Sequence, residues 1–187
     1  MRKTKPSIAY RRKRQGKTDY KKRTNLLKSE TPRLVIRHSL NNIHVQIIEY
    51  APEGDKILSS ANSSQLKKYG WKASTSNISA AYLTGLLAGK NSKIKQAKLD
   101  ADHATLTKAC RIYAAVKGII DSGISVQISE EILPDENRIK GKHVEDYAKS
   151  LAGSDKYNAQ FSLYIKQGLK PEELTKHFEE VKAKIMG

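Results

Sequence analysis

Cysteine is almost absent: Cys110 is the only one in 187 residues. That excludes an intramolecular disulfide framework and an all-cysteine zinc site, and makes a reducing compartment the expectation. No stretch approaches the roughly 18 consecutive apolar residues of a membrane span. The opening MRKTKPSIAYRRKRQ has charge but no apolar centre, so it does not read as a secretory signal. Aromatics are only 6% and apolar residues 38%, enough for one core with part of the chain outside it. P-loop, HExxH, GxSxG and GxGxxG motifs are missing. His38, His44, His103, His143 and His177 are scattered without ligand spacing. Neither a metal site nor a cofactor or small-molecule substrate is implied.

Acid is scarce at one end only. Residues 1–28 hold 12 Lys/Arg against a single acid, Asp19. Residues 29–120 carry a net +7 and residues 121–187 a net −2, within a total of +16. The excess points to a polyanionic partner met by the first two thirds of the chain. The first segment has little to bury and its like charges repel. In isolation it should be disordered or a fraying helix. Its bases neutralise phosphates, and Tyr10 and Tyr20 among them can stack on unpaired bases. A membrane-surface role is disfavoured, because the segment lacks the Trp/Phe/Leu face of an interfacial helix.

RLVIRHS (33–39) and NIHVQIIEY (42–50) read as two strands joined at Leu40-Asn41, with Asn41 able to take positive φ. Alternation sends Leu34, Ile36, Ile43, Val45 and Ile47 to a core. Arg33, Arg37, Ser39, His44 and Gln46 go to an open, cationic face. Residues 56–63 read as a third strand. The basic loop 67–77 holds Trp71, which either stacks on a base or anchors its own loop. Asn77 caps a helix ISAAYLTGLLAGK, whose Ala81, Gly85 and Gly89 make a smooth face for a sheet. QAKLDA (96–101), a helix from Thr105 to Ser122 with Cys110 on its apolar face, and ISVQIS (124–129) complete the series. The fold class is α/β (α+β), a mixed sheet in the order β-β-β-α-β-α-β with helices on one face. Beyond 129, HVEDYAKSLAG and a last helix opening at Pro171 form a helical extension. Leu174, Phe178, Val181 and Ile185 make the stripe of that last helix. The division is a basic arm (1–30), an α/β domain (31–129) and the extension (130–187).

The same order begins a ribonuclease H-like nuclease. Its carboxylates would come from Glu49, Asp100, Asp102 and Asp121, but the first strand supplies none. Asp100 and Asp102 read more simply as strand-end and turn residues.

GKTDYKKR (16–23), RLVIRHSLNNIHVQIIEY (33–50), YGWKASTSNISAAYLTGLLAG (69–89) and RIKGKHVEDY (138–147) resemble the archaeal branch of the large-subunit ribosomal protein L18 family. The resemblance implies a non-enzymatic protein of the large ribosomal subunit in the cytoplasm. It would bind 5S rRNA and help attach it to 23S rRNA among the ribosomal proteins of the central protuberance. A free 5S rRNA carrier outside the ribosome is the alternative. Carried over by motif position, the RNA-binding residues are Tyr10, Arg11, Arg12, Lys13, Arg14, Lys17, Thr18, Tyr20, Lys21, Lys22 and Arg23 in the arm. The first hairpin adds Arg33, Arg37, Ser39 and Asn41, and the following loop adds Trp71, Lys72 and Asn77. Where the family often has Leu-Asp-Ile-Gly, this chain has Leu99-Asp100-Ala101-Asp102. The lost glycine and added acid exclude this turn from the binding surface.

Overall fold

The computed structural model describes residues 7–101 and 104–187. The first six residues of the arm, and Asp102 and His103, lie outside the described residues. Two short helices come first, α1 (Arg11–Arg14) and α2 (Tyr20–Leu27). Then follow β1 (Arg33–His38), β2 (Ile43–Glu49), β3 (Lys56–Asn62), a 3₁₀ segment (Ser63–Tyr69) and α3 (Ile78–Lys90). After these come β4 (Gln96–Asp100), α4 (Arg111–Asp121) and β5 (Ser125–Val126). The C-terminal third is helical: α5 (Glu136–Lys140), α6 (Lys142–Leu151), α7 (Asp155–Gln160), α8 (Ser162–Lys166) and α9 (Leu174–Met186).

The strands form one mixed sheet in the spatial order β3-β2-β1-β4-β5. The first three are an antiparallel meander, and β4 lies parallel to both β1 and β5. Parallel neighbours need a crossover, which α3 and α4 supply. Leu34, Ile36, Ile43, Val45 and Ile47 are each at most 1% exposed, as alternation requires. In the β1–β2 turn Asn41 does not take positive φ, because among described non-glycine residues only Glu30 and Ala109 do. Ser39 closes the turn instead: its N–H donates to the Asn42 carbonyl at 2.8 Å, and its Oγ accepts from the Asn42 N–H at 3.0 Å.

The small-residue stripe of α3 meets a helix, not a sheet. A Cβ on Gly85 would run into the Ala115 backbone, and one on Gly118 into the Tyr82 carbonyl. The two helices therefore interlock at backbone contact. The other sides of α3 face β2, β3 and the C-terminal helices, and every residue from Ser79 to Gly89 is buried. Two further expectations need correction. Helix α4 starts at Arg111 instead of Thr105, because Ala109 sits in the left-handed region (φ 57°) with its N–H held by the Ile132 carbonyl at 3.0 Å. Cys110 is thus the half-buried N-cap residue and not part of an apolar helix face. The fifth strand shrinks to Ser125–Val126.

Ile139, Leu169, Leu174, Phe178, Val181 and Ile185 join the same apolar cluster as the sheet residues. The stripe expected on the last helix is therefore the buried face of α9, although Pro171 opens a separate 3₁₀ turn before it. Polar ties fix the extension. Ser79 Oγ donates to the Ile139 carbonyl at 2.6 Å. Lys90 Nζ donates to the carbonyls of Ile185 (2.7 Å) and Met186 (3.0 Å), where a helix end leaves acceptors unpaired.

Candidate nucleic-acid interface

The arm has more order than charge repulsion alone suggests. Asp19 caps α2 by accepting from the N–H groups of Lys21 (3.0 Å) and Lys22 (3.1 Å). Arg12 Nε donates to Thr18 Oγ1 at 2.8 Å, and the Tyr10 and Tyr20 rings meet with centroids 5.3 Å apart. Arg11, Arg12, Lys13, Arg14, Lys17, Lys21 and Lys22 are all exposed, while Thr18, Tyr20 and Arg23 are half-buried. Tyr10 is 73% exposed, so one face of its ring remains open to stacking.

The arm lies against the side of the sheet opposite α3 and α4. A cavity of about 170 Å³ separates them, lined by Arg12, Thr18 and Lys22 from one wall and Arg33, Val35 and Arg37 from the other. Arg33 was expected on an open face; it is only 3% exposed, and Val35 beside it 7%. Alternation assigns the side correctly, but the arm and two carboxylates cover that side. A chain of ion pairs runs through it. Asp55 takes Arg23 at 3.0 Å and Arg33 at 2.7 Å, and Asp100 takes Arg33 at 3.1 Å and Arg37 at 3.7 Å. Arg37 Nη1 also donates to the Asp100 carbonyl at 2.8 Å. Burial alone would raise the Asp55 carboxyl, but hydrogen bonds from Arg23 and Arg33 outweigh it and hold the group below its ordinary value. Asp100 is thus more than a turn residue: at 8% exposure it orients two arginines.

The remaining expected residues gather at a second place. Thr75 Oγ1 donates to the Asn41 carbonyl, which ties the hairpin tip to the loop after Trp71. Ser39 and Asn41 are exposed there, and so is the Lys72 side chain. Trp71 is 3% exposed, so it cannot stack on a base as it stands. Its Nε1 donates to the Ser74 carbonyl at 3.1 Å, and its ring lies 5.3 Å from His177, 19° from parallel. Trp71 is an anchor for its loop, the second of the two readings. The Lys72 N–H donates to His177 Nε2 at 3.1 Å. Asn77 is half-buried, and its Oδ1 caps α3 by accepting from the Ala80 N–H at 2.7 Å.

A family model for the ribosomal large subunit proteins 60S L5 and 50S L18 matches residues 5–102, a span that holds most of the arm, the hairpin and the loop. Large ribosomal subunit protein uL18 of Methanococcus maripaludis is 45% identical over 183 residues, covering 96% of this chain and 95% of that protein. The chain belongs to this ribosomal protein family. Of the carboxylates named for the nuclease alternative, Asp102 lies outside the described residues, and Asp100 and Asp121 stand at the ends of different elements. Asp100 ends β4, while Asp121 ends α4 at the opposite edge of the crossover and accepts from the Tyr82 hydroxyl at 2.6 Å. Among the described residues no group of three His, Cys, Asp or Glu is placed to hold a metal ion, and no helix is long and apolar enough to cross a membrane.

Sequence reasoning missed Asp55 and excluded Asp100, the two acids that organise the ribosomal protein's arginine row. The only local signal for Asp55 was an acid ending the turn Pro52-Glu53-Gly54.

Proposed function

We propose that this large-subunit ribosomal protein binds 5S rRNA through the arm and the adjoining face of the sheet. There it helps attach 5S rRNA to 23S rRNA in the central protuberance, beside neighbouring ribosomal proteins. The observation that carries the reading is the run of exposed cations from Arg11 to Lys22, laid along a sheet face that continues it with Arg37. Such a run neutralises successive phosphates and gains affinity from counterion release. The A-form major groove is too narrow to read, so specificity rests on backbone shape, 2′-hydroxyls and unpaired bases. Tyr10 and Tyr20 supply stacking surface. Ser39, Asn41 and Lys72 form a second contact, held in place by Trp71 and Asn77. The three-part division places RNA contact on residues 1–30 and 31–129. It leaves the extension, 130–187, which carries a net −1, to face protein or solvent. The role requires no catalytic group.

The test is a salt titration of the full chain against 5S rRNA and a structured control RNA of the same length. Tighter binding to 5S rRNA that persists at high salt supports the reading. Equal binding that collapses together as salt rises overturns it.

A further inference from the structure

Resting on that reading, we propose that the cleft between arm and sheet seats one phosphodiester of the RNA backbone, and that Asp55 is a positioning residue that holds Arg23 and Arg33 for it. Five cations line the cavity of about 170 Å³, namely Arg12, Lys22, Arg23, Arg33 and Arg37, against the carboxylates of Asp55 and Asp100. Among the described residues that line it, cations outnumber carboxylates, so the cleft favours an anion. Arg33 adds an independent observation. Its Nη1 and Nη2 are held by the two carboxylates, but its buried Nε has no acceptor among the described residues. A buried N–H without a partner is costly, so the hydrogen bonding of Arg33 at this cleft is incomplete. Guanidinium forks match phosphate oxygens in two-point contacts. A diester linkage suits the cleft better than a free phosphate dianion, because two carboxylates already stand in its walls. The exposed cations of α1 lie beside the cleft to meet the linkages on either side.

Asp55 adds negative charge to a site that receives an anion, so its value there is geometric. It fixes Arg23, whose side chain is 37% exposed, against Arg33, whose side chain is 4% exposed. Asp55→Asn sets two effects in opposition: lost negative charge favours RNA binding, and lost positioning disfavours it. The full chain is titrated with 5S rRNA by fluorescence anisotropy over a range of salt. We expect Asp55→Asn to bind about fivefold to tenfold more weakly with the same log K against log salt slope, because the number of phosphates neutralised does not change. Equal or tighter binding overturns the positioning role.

The seat itself is read from 5S rRNAs that carry one neutral methylphosphonate linkage each, bound by the wild-type chain and by Arg37→Gln. One linkage should cost the wild type about tenfold and Arg37→Gln nothing further. Losses that multiply at every linkage, with preference for 5S rRNA intact, overturn the seat alone. Absence of any preference for 5S rRNA overturns the parent reading and the seat with it. Inorganic phosphate should compete no better than chloride at equal ionic strength; selective competition would assign the cleft to a free anion and overturn the backbone linkage.

Discussion

Asp100 holds two arginines of the neighbouring strand, so removing its carboxylate takes an ion-pair partner from each. Breaking a buried pair from one side costs about 3–5 kcal/mol, and Asp55, which remains on Arg33, brings the expected loss for Asp100→Ala to about 2–4 kcal/mol. Urea unfolding of the variant checks this, and a midpoint within experimental scatter of the wild type would contradict it. Arg33 shows what residue-level pattern can carry. Period-two alternation put it on the correct side of β1, opposite Leu34 and Ile36. Its burial depends on Asp55, 22 residues away, and Asp100, 67 residues away. Partners at such separations leave no mark in local spacing. Trp71 is similar: the sequence allowed stacking or anchoring, and the choice fell to His177, which lies 105 residues beyond Lys72's backbone.

Helix α9 docks onto the Trp71 loop through a histidine that must stay neutral on one side. His177 Nε2 accepts from the Lys72 N–H, and protonation would turn that acceptor into a donor. Burial lowers the His177 pKa below 6.5; Glu180 opposes this, and Lys72 and Lys184 reinforce it. His143 is also lowered, chiefly by burial and then by Arg138. For a group depressed in the folded state, the unfolded chain binds more protons below its ordinary pKa. Stability is therefore full above about pH 6.5 and falls as pH drops from there through the folded values. The depressed carboxylates, Asp55 and Glu145, start from 3.8 and 4.5, so the stability they contribute is full across this range and is lost only at lower pH. The thermal midpoint should decline between pH 6.5 and 5, and His177→Gln should flatten part of that decline. A midpoint level across this range in the wild type would contradict the assignment. Element ends were legible where a cap marks them, as at Asn77 before α3, while the stripe Leu174, Phe178, Val181 and Ile185 gave the buried face of α9 but not its start. They were illegible where tertiary bonds decide, as at Ala109, whose left-handed turn delays α4 to Arg111. The Gly85 and Gly89 spacing announced a close approach, but the partner expected was a sheet and the partner found is α4.

At the scale of the whole molecule, stability and charge are divided between different segments. The apolar cluster begins at Leu34 and runs to Ile185, so none of the arm's described residues belongs to the core. Among the described residues, an ion pair between side chains 37% and 29% exposed, Arg23 with Asp55, ties the arm to the sheet, and such a pair contributes little in salt. Deleting residues 1–28 should therefore leave a folded protein with a slightly lower thermal midpoint, as Val35 and Arg33 lose their cover. Its effect on RNA binding should be large and of a specific form. The segment holds 12 Lys/Arg. If half of them each neutralise one phosphate, their loss makes the log K against log salt slope shallower by about 4–5. The C-terminal third, with its small net negative charge, would contribute nothing to that slope. Comparing the slopes of full-length and truncated chains on 5S rRNA separates the two outcomes. A much shallower slope with residual preference for 5S rRNA places affinity in the arm and shape recognition in the sheet domain. An unchanged slope would remove the arm from the interface and leave Arg37, Lys72 and the hairpin tip to account for binding alone.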